Sequence, residues 1–236
     1  MTPAEILGIP QFDRWYPGQV ELSSQLSAWL AGPNRFLGAA LPTGYGKSLL
    51  GMLLAQENLQ ITQENLRITQ ENKVVYLTST KGLQEQLMRD FSSLGVVDIR
   101  GQNDYQCIQF PQRTVDLAPC HTGYECPVRN ECTYYSTLER AKGARIVVTN
   151  YHYWLYQHQY GSGLDTDDNM TNLLICDEAH QLGNALESYL SLRFTRRDRR
   201  WIPWTVDWTY QDWVDAARSA RWRMEQELRR ITEDAG

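Results

Sequence analysis

Two short stretches hold residues whose types and spacing suit phosphate chemistry. The first is LPTGYGKS at residues 41–48. Gly44 and Gly46 leave the backbone free to turn its N–H groups toward an anion, and the helix that follows adds the positive end of its dipole. Lys47 is placed to neutralise the β- and γ-phosphates of ATP, and Ser48 offers a hydroxyl to the magnesium ion that bridges them. Pro42, Thr43 and Tyr45 complete the cradle. The usual pattern has glycine where Leu41 stands, but strand, loop and helix follow in the order the mechanism needs. The second stretch is DEAH at 177–180, directly after the apolar LLIC. Carboxylates at the C-terminal end of a strand lie where open α/β sheets bind ligands. Asp177 is expected to hold magnesium through water, Glu178 to orient and deprotonate an attacking water, and His180 to couple the site to neighbouring domains. Four such letters also describe an ordinary acidic surface turn. The strand before them and the phosphate loop upstream favour catalysis.

Cys107, Cys120, Cys126 and Cys132 share one irregular segment, with 12, 5 and 5 residues between them. Zinc fingers and ribbons use closer C-x₂₋₄-C pairs. Four thiolates from a loop-rich segment suit an iron-sulfur cube, and on spacing alone zinc stays open as the alternative. His121 is a candidate substitute ligand, or simply a solvated loop histidine. Cys176, inside LLIC, reads as a buried core thiol. Gln19, in RWYPGQVEL, has an amide able to read an adenine edge, or it is only a glutamine at a helix start. Arginines and tryptophans cluster over 193–213, suiting either single-stranded nucleic acid or a solvated arginine face over a Trp-rich core.

Alternating strand and helix patterns are needed to position these residues. FLGAAL at 36–41 predicts a strand, and SLLGMLLAQ after the phosphate loop predicts a helix. That helix runs into a tandem heptad, ENLQITQ then ENLRITQ over 57–70, whose apolar residues lack coiled-coil spacing. An exposed polar insertion is the favoured reading, a partner-binding helix the alternative. KVVYLTST at 73–80 predicts a second strand and GLQEQLMRDFSSL its helix. After the cysteine segment, YYSTLERAKGA predicts a helix, RIVVTN at 145–150 a third strand and NLLIC a strand that ends at the acidic box. The alternation predicts a parallel sheet with both faces covered. A last helix is expected over about 210–232, where apolar residues recur every three or four positions.

The 236 residues suit one large domain or one plus part of another. A net charge of −5 and a pI of about 5.4 advertise no general basic field, so nucleic-acid binding would need a local groove. The sequence lacks an apolar run of membrane-spanning length and a signal peptide, which predicts a cytoplasmic protein with reduced thiols.

Taken in order, YPGQ, LPTGYGKS, YLTSTKGLQEQL, the four cysteines, VVTNYHYWL and DEAH resemble the iron-sulfur helicases of superfamily 2, the XPD and DinG group, over roughly residues 10–190. The four-cysteine insertion before VVTNYH is the most specific element of the match. The resemblance implies a RecA-like α/β fold with a [4Fe-4S] domain, ATP and magnesium as cofactors, and translocation along single-stranded or forked DNA, 5′ to 3′. Gln19, Lys47, Ser48, Asp177 and Glu178 match the family's nucleotide residues. Thr80, Lys81 and Gly82 match a motif that touches the DNA backbone, and Asn150, Tyr151 and His152 match another stretch near cluster and DNA. The implied layout is a first motor domain over 1–100 and 141–190, the iron-sulfur insertion over 101–140 and the start of a helical arch over 191–236. Nothing in 191–236 resembles the second RecA-like domain. The expectation is therefore a chain that needs a partner or C-terminal half for unwinding. A non-catalytic DNA-binding module and a zinc-bearing ATPase directed at RNA or protein are the alternatives.

Overall fold

The computed structural model describes residues 1–64, 71–122, 124–160, 163–191 and 207–234. They fall into two compact units, Met1–Tyr189 and Leu190–Gly236. The first unit is built on four strands, β1 (Glu71–Thr78), β2 (Val97–Asp98), β3 (Ile146–Asn150) and β4 (Asn169–Cys176), ordered β2-β3-β1-β4 and all parallel. Val75 of β1 stands opposite Val147 of β3 and Leu174 of β4.

The apolar runs of β1 and β3 are continuous because both faces of the sheet are covered, as parallel sheets require. Alternate residues go to opposite cores. Val74, Tyr76, Ile146 and Val148 pack with α1 (Pro3–Leu7), α2 (Gln19–Leu30), α3 (Lys47–Glu64) and α4 (Lys81–Phe91). Val75, Leu77 and Val147 pack on the other face with α5 (Thr133–Gly143), α6 (Tyr151–Tyr160) and α7 (Leu182–Leu190). Burying each such side chain contributes roughly 1.5–3 kcal/mol. Helix α3 comes close to β1 because residue 51 is glycine: a Cβ there would sit 2.8 Å from the Tyr76 ring.

The structure departs from the sequence reading in three places. Residues 36–41 join no ladder, and Phe36 is 92 % exposed, whereas a strand was expected there. A strand needs a neighbour, and this segment has no backbone partner among the described residues. The first heptad copy is not an exposed insertion, because it forms the C-terminal turns of α3 and buries Leu59. The second copy, to residue 70, lies outside the described residues apart from Glu64, and the third begins β1. The two-residue strand β2 has no sequence signal of its own length and exists only through β3.

In the second unit, α8 (Tyr210–Asp234) begins at Thr209, whose hydroxyl accepts from Asp212 N while its own N–H donates to the Asp212 carboxylate. Trp208 meets Trp213 edge to face at 5.0 Å. The arginines at 193–200 and Trp201 and Trp204 lie outside the described residues. Among the described residues no helix is long and apolar enough to cross a membrane.

Candidate active site

The loop 42–46 turns with Gly44 at φ 79° and Gly46 at φ 83°, left-handed values that favour glycine. Gly46 is doubly required, since a Cβ there would lie 2.6 Å from the Gln19 amide nitrogen. Gln19 is fully buried and uses both ends of its amide. Its Nε2 donates to the Tyr45 carbonyl at 2.6 Å and its Oε1 accepts from Tyr16 N at 2.8 Å. The Tyr45 hydroxyl donates to the Pro17 carbonyl. The side chain expected to read adenine thus braces the phosphate loop here.

β4 continues its ladder one residue past its end, where Asp177 N donates to the Leu77 carbonyl at 2.9 Å. The chain then turns sharply at Glu178, the single non-glycine residue with positive φ (54°) among those described. Backbone strain of this kind concentrates at functional sites. The turn puts the Glu178 carboxylate 3.2 Å from Lys47 Nζ and 3.3 Å from His180 Nδ1. The two charged residues picked from motifs 131 positions apart therefore meet, at one wall of a cleft of about 500 Å³. Thr43, Ser48 and Asp177 share that cleft, and Phe12, Arg14, Tyr16 and Phe91 line it further on.

Asp177 is 8 % exposed, and burial holds its carboxyl above the usual carboxylate range, with the Glu178 charge adding to the effect. Its oxygens accept from Glu178 N at 2.9 Å and from the Tyr76 hydroxyl at 3.4 Å. This buried phenol ties β1 to the carboxylate expected at magnesium. The Tyr151 hydroxyl donates to the Asp177 carbonyl at 2.8 Å. Sequence reasoning missed Tyr76. Its only signal is period-two alternation within VVYLT, which puts it on the side of Val74.

The residues matched to DNA contacts divide by exposure. Thr80, Lys81, Gly82 and His152 are exposed, with Lys81 paired to Asp104 and the Thr80 hydroxyl capping α4 by accepting from Leu83 N. Asn150 caps α6 through Tyr153 N, and Tyr151 is 2 % exposed.

Cys107, Cys120, Cys126 and Cys132 all line one pocket, walled by Val115, Ala118, Val128, Arg129 and Tyr135. All four thiols are free. Arg129 lies 3.8 Å over the Tyr135 ring. The pocket's free volume is about 20 Å³, room for one water molecule, and among the described residues no three His, Cys, Asp or Glu side chains form a group able to hold a metal ion. The donor set suits soft metals.

No curated protein matches the chain. Among solved structures, one described as XPD_Helicase aligns with a TM-score of 0.52 and 21 % identity, covering 74 % of this chain and 34 % of that one. Another, described as Truncated XPD, aligns with a TM-score of 0.49 and 20 % identity, covering 71 % of this chain and 54 % of that one. The chain thus spans only a part of either structure, and the first likeness is one of fold: an α/β domain of the RecA-like kind. The family described as "Type III restriction enzyme, res subunit" matches residues 13–198, most of the length, and this chain belongs to it.

Proposed function

We propose that the chain is the nucleotide-binding portion of an ATP-dependent DNA helicase, coupling ATP hydrolysis to 5′ to 3′ movement along single-stranded DNA. The observation that carries this reading is the 3.2 Å approach of Lys47 to Glu178 in a cleft that also holds Thr43, Ser48 and Asp177. The proposed layout keeps a motor domain over 1–100 and 141–190, an iron-sulfur insertion over 101–140 and the start of an arch over 191–236. A second motor domain, from a partner or from further chain, closes the site.

The chain's own groups support a simple sequence of events. Lys47 and Glu178 are each about a third exposed, and an ion pair so exposed is worth about 0–1 kcal/mol. A γ-phosphate entering the cleft outcompetes that pair for Lys47, aided by the loop's N–H groups. Glu178 is then free to accept the proton of a water that attacks the γ-phosphorus, while the bond to the bridging oxygen breaks and ADP leaves. Ser48 and Asp177 would hold magnesium, which would supply neutralisation of the phosphate charge. Those oxygens suit a hard cation. Cys107, Cys120, Cys126 and Cys132 would hold a [4Fe-4S] cluster beside the DNA path. Thr80, Lys81, Gly82, Asn150 and His152 are proposed to meet the DNA backbone, with Tyr151 behind them.

The test is binding of a fluorescent ATP analogue with magnesium, followed by phosphate release with single-stranded DNA in the presence of the completing half. Lys47→Ala is expected to weaken binding by about tenfold or more, and Glu178→Gln to keep binding and abolish release. Equal binding by Lys47→Ala would overturn the nucleotide reading. DNA affinity with no release in the completed protein would favour a non-catalytic module. Protein purified without oxygen should be brown and contain iron and sulfide in equal amounts. A colourless protein with bound zinc removes the cluster.

A further inference from the structure

We infer that Tyr151 is a positioning residue: through its hydrogen bond to the Asp177 carbonyl it sets the acidic pair for the magnesium of bound ATP and relays strand contact at 150–152 to that pair. The inference rests on the nucleotide reading above. Three observations carry it. The Tyr151 hydroxyl donates to the Asp177 carbonyl at 2.8 Å across 26 residues of chain, from a ring only 2 % exposed. Apart from the Glu178 N–H on its own carboxylate, Asp177 is otherwise held by Leu77 O at its N–H and by Tyr76 at its carboxylate, both from β1. Tyr151 is therefore the contact that reaches Asp177 from the β3 side. Its neighbours in sequence sit at the sheet's C-terminal end: Asn150 fixes the start of α6 through Tyr153 N, and His152 is exposed.

A packing role alone would be satisfied by the ring. The hydroxyl has a different consequence, because the carbonyl it fixes belongs to the peptide that joins Asp177 to Glu178, the residue with φ 54°. Rotation of that peptide would swing both carboxylates. Burial raises the Tyr151 pKa, so the phenol remains a donor at any working pH. A displacement of residues 150–152 by a bound strand moves this donor and with it the peptide. Coupling of that kind is reciprocal, so magnesium-nucleotide and DNA must change each other's affinity by the same factor.

The experiment compares the wild-type chain with Tyr151→Phe and Tyr153→Phe. Tyr153 is a control on the same helix: its buried hydroxyl contacts Tyr134 and Gln157 and, among the described residues, does not hydrogen-bond Asp177. Binding of a fluorescent ATP analogue is titrated with and without magnesium, and with and without a single-stranded oligonucleotide. Thermal unfolding midpoints are recorded for all three proteins. Tyr151→Phe should weaken magnesium-dependent binding by about tenfold, as removal of an outer-shell partner does at other metal sites. Binding without magnesium should be unchanged, and the oligonucleotide's effect on magnesium-nucleotide affinity should disappear. Tyr153→Phe should lower the unfolding midpoint without altering the magnesium dependence. Unchanged magnesium dependence in Tyr151→Phe, or equal shifts in both variants, overturns the inference while leaving nucleotide binding intact. A wild-type chain that binds no magnesium-nucleotide overturns the nucleotide reading itself and this inference with it.

Discussion

Asp177 shows at the scale of one residue how a site can oppose the fold that carries it. Its carboxylate is 8 % exposed, and its nearest charged neighbour in the chain is another carboxylate. Burying such a group without a cation disfavours its ionised form, which is why its pKa is raised. Asp177→Asn keeps the shape, keeps an oxygen for Glu178 N and removes the charge. We expect the variant to unfold at a higher temperature than wild type in magnesium-free buffer at neutral pH, and to lose magnesium-dependent nucleotide binding. Such trade-offs between stability and activity are common at functional sites. A lower unfolding temperature for Asp177→Asn would mean that the carboxylate is a structural acceptor first. Lys47, Ser48, Asp177 and Glu178 were legible in the sequence because each belongs to a motif whose residue types follow from phosphate chemistry. Tyr76 and the role of Tyr151 were not, since which phenol meets which acceptor is decided by strand register and helix approach, and neither is written locally.

Elements were legible where their pattern is set by burial, as in KVVYLT for β1 and RIVVTN for β3, and less so where pairing decides. The run FLGAAL has the composition of a strand yet forms none. β1 also contains a residue that pattern reading passes over. Lys73 is fully buried, and its ammonium donates to the carbonyls of Lys142 (2.8 Å) and Leu164, tying the end of α5 and the turn before β4 to the strand. Lys73→Met should leave two carbonyls without that donor and cost about 1–3 kcal/mol. The same side chain gives the fold a signature in pH. Burial lowers the Lys73 pKa below 10.5, so over the interval between the lowered value and 10.5 the unfolded chain holds more protons than the folded one. Stability therefore gains a rising contribution from this group as pH climbs through that interval. Denaturant unfolding of wild type and Lys73→Met should show the gap between them widening across it, and a constant gap would show that the lysine is already solvated.

At the scale of the whole chain, the first unit holds its phosphate loop in an unusual way. The loop is entered through residues 34–41, which have no backbone hydrogen bond to any other described residue, and left through α3, which is anchored in the core by Leu50, Met52 and Leu53. The entry side is instead gripped at the loop itself by Gln19 and Tyr45. The sheet ends at β4, whose Met170, Asn172 and Leu174 are exposed. Backbone amides that lie in open solvent exchange with deuterium at close to their unfolded rates, whereas those of a central strand exchange only when the domain opens. A domain with ordinary stability slows that second class by a thousandfold or more, on the order of 5 kcal/mol. Amides of Phe36–Leu41 should therefore exchange within seconds and those of Val74–Leu77, paired on both sides, over hours. Mutating Gln19 to Ala should leave the 36–41 rates alone and raise those of residues 43–46, because the loop's grip comes from α2 rather than from a strand before it. Slow exchange across 36–41 in the wild-type chain would show that the segment does find a pairing partner, and that the loop is held from both ends.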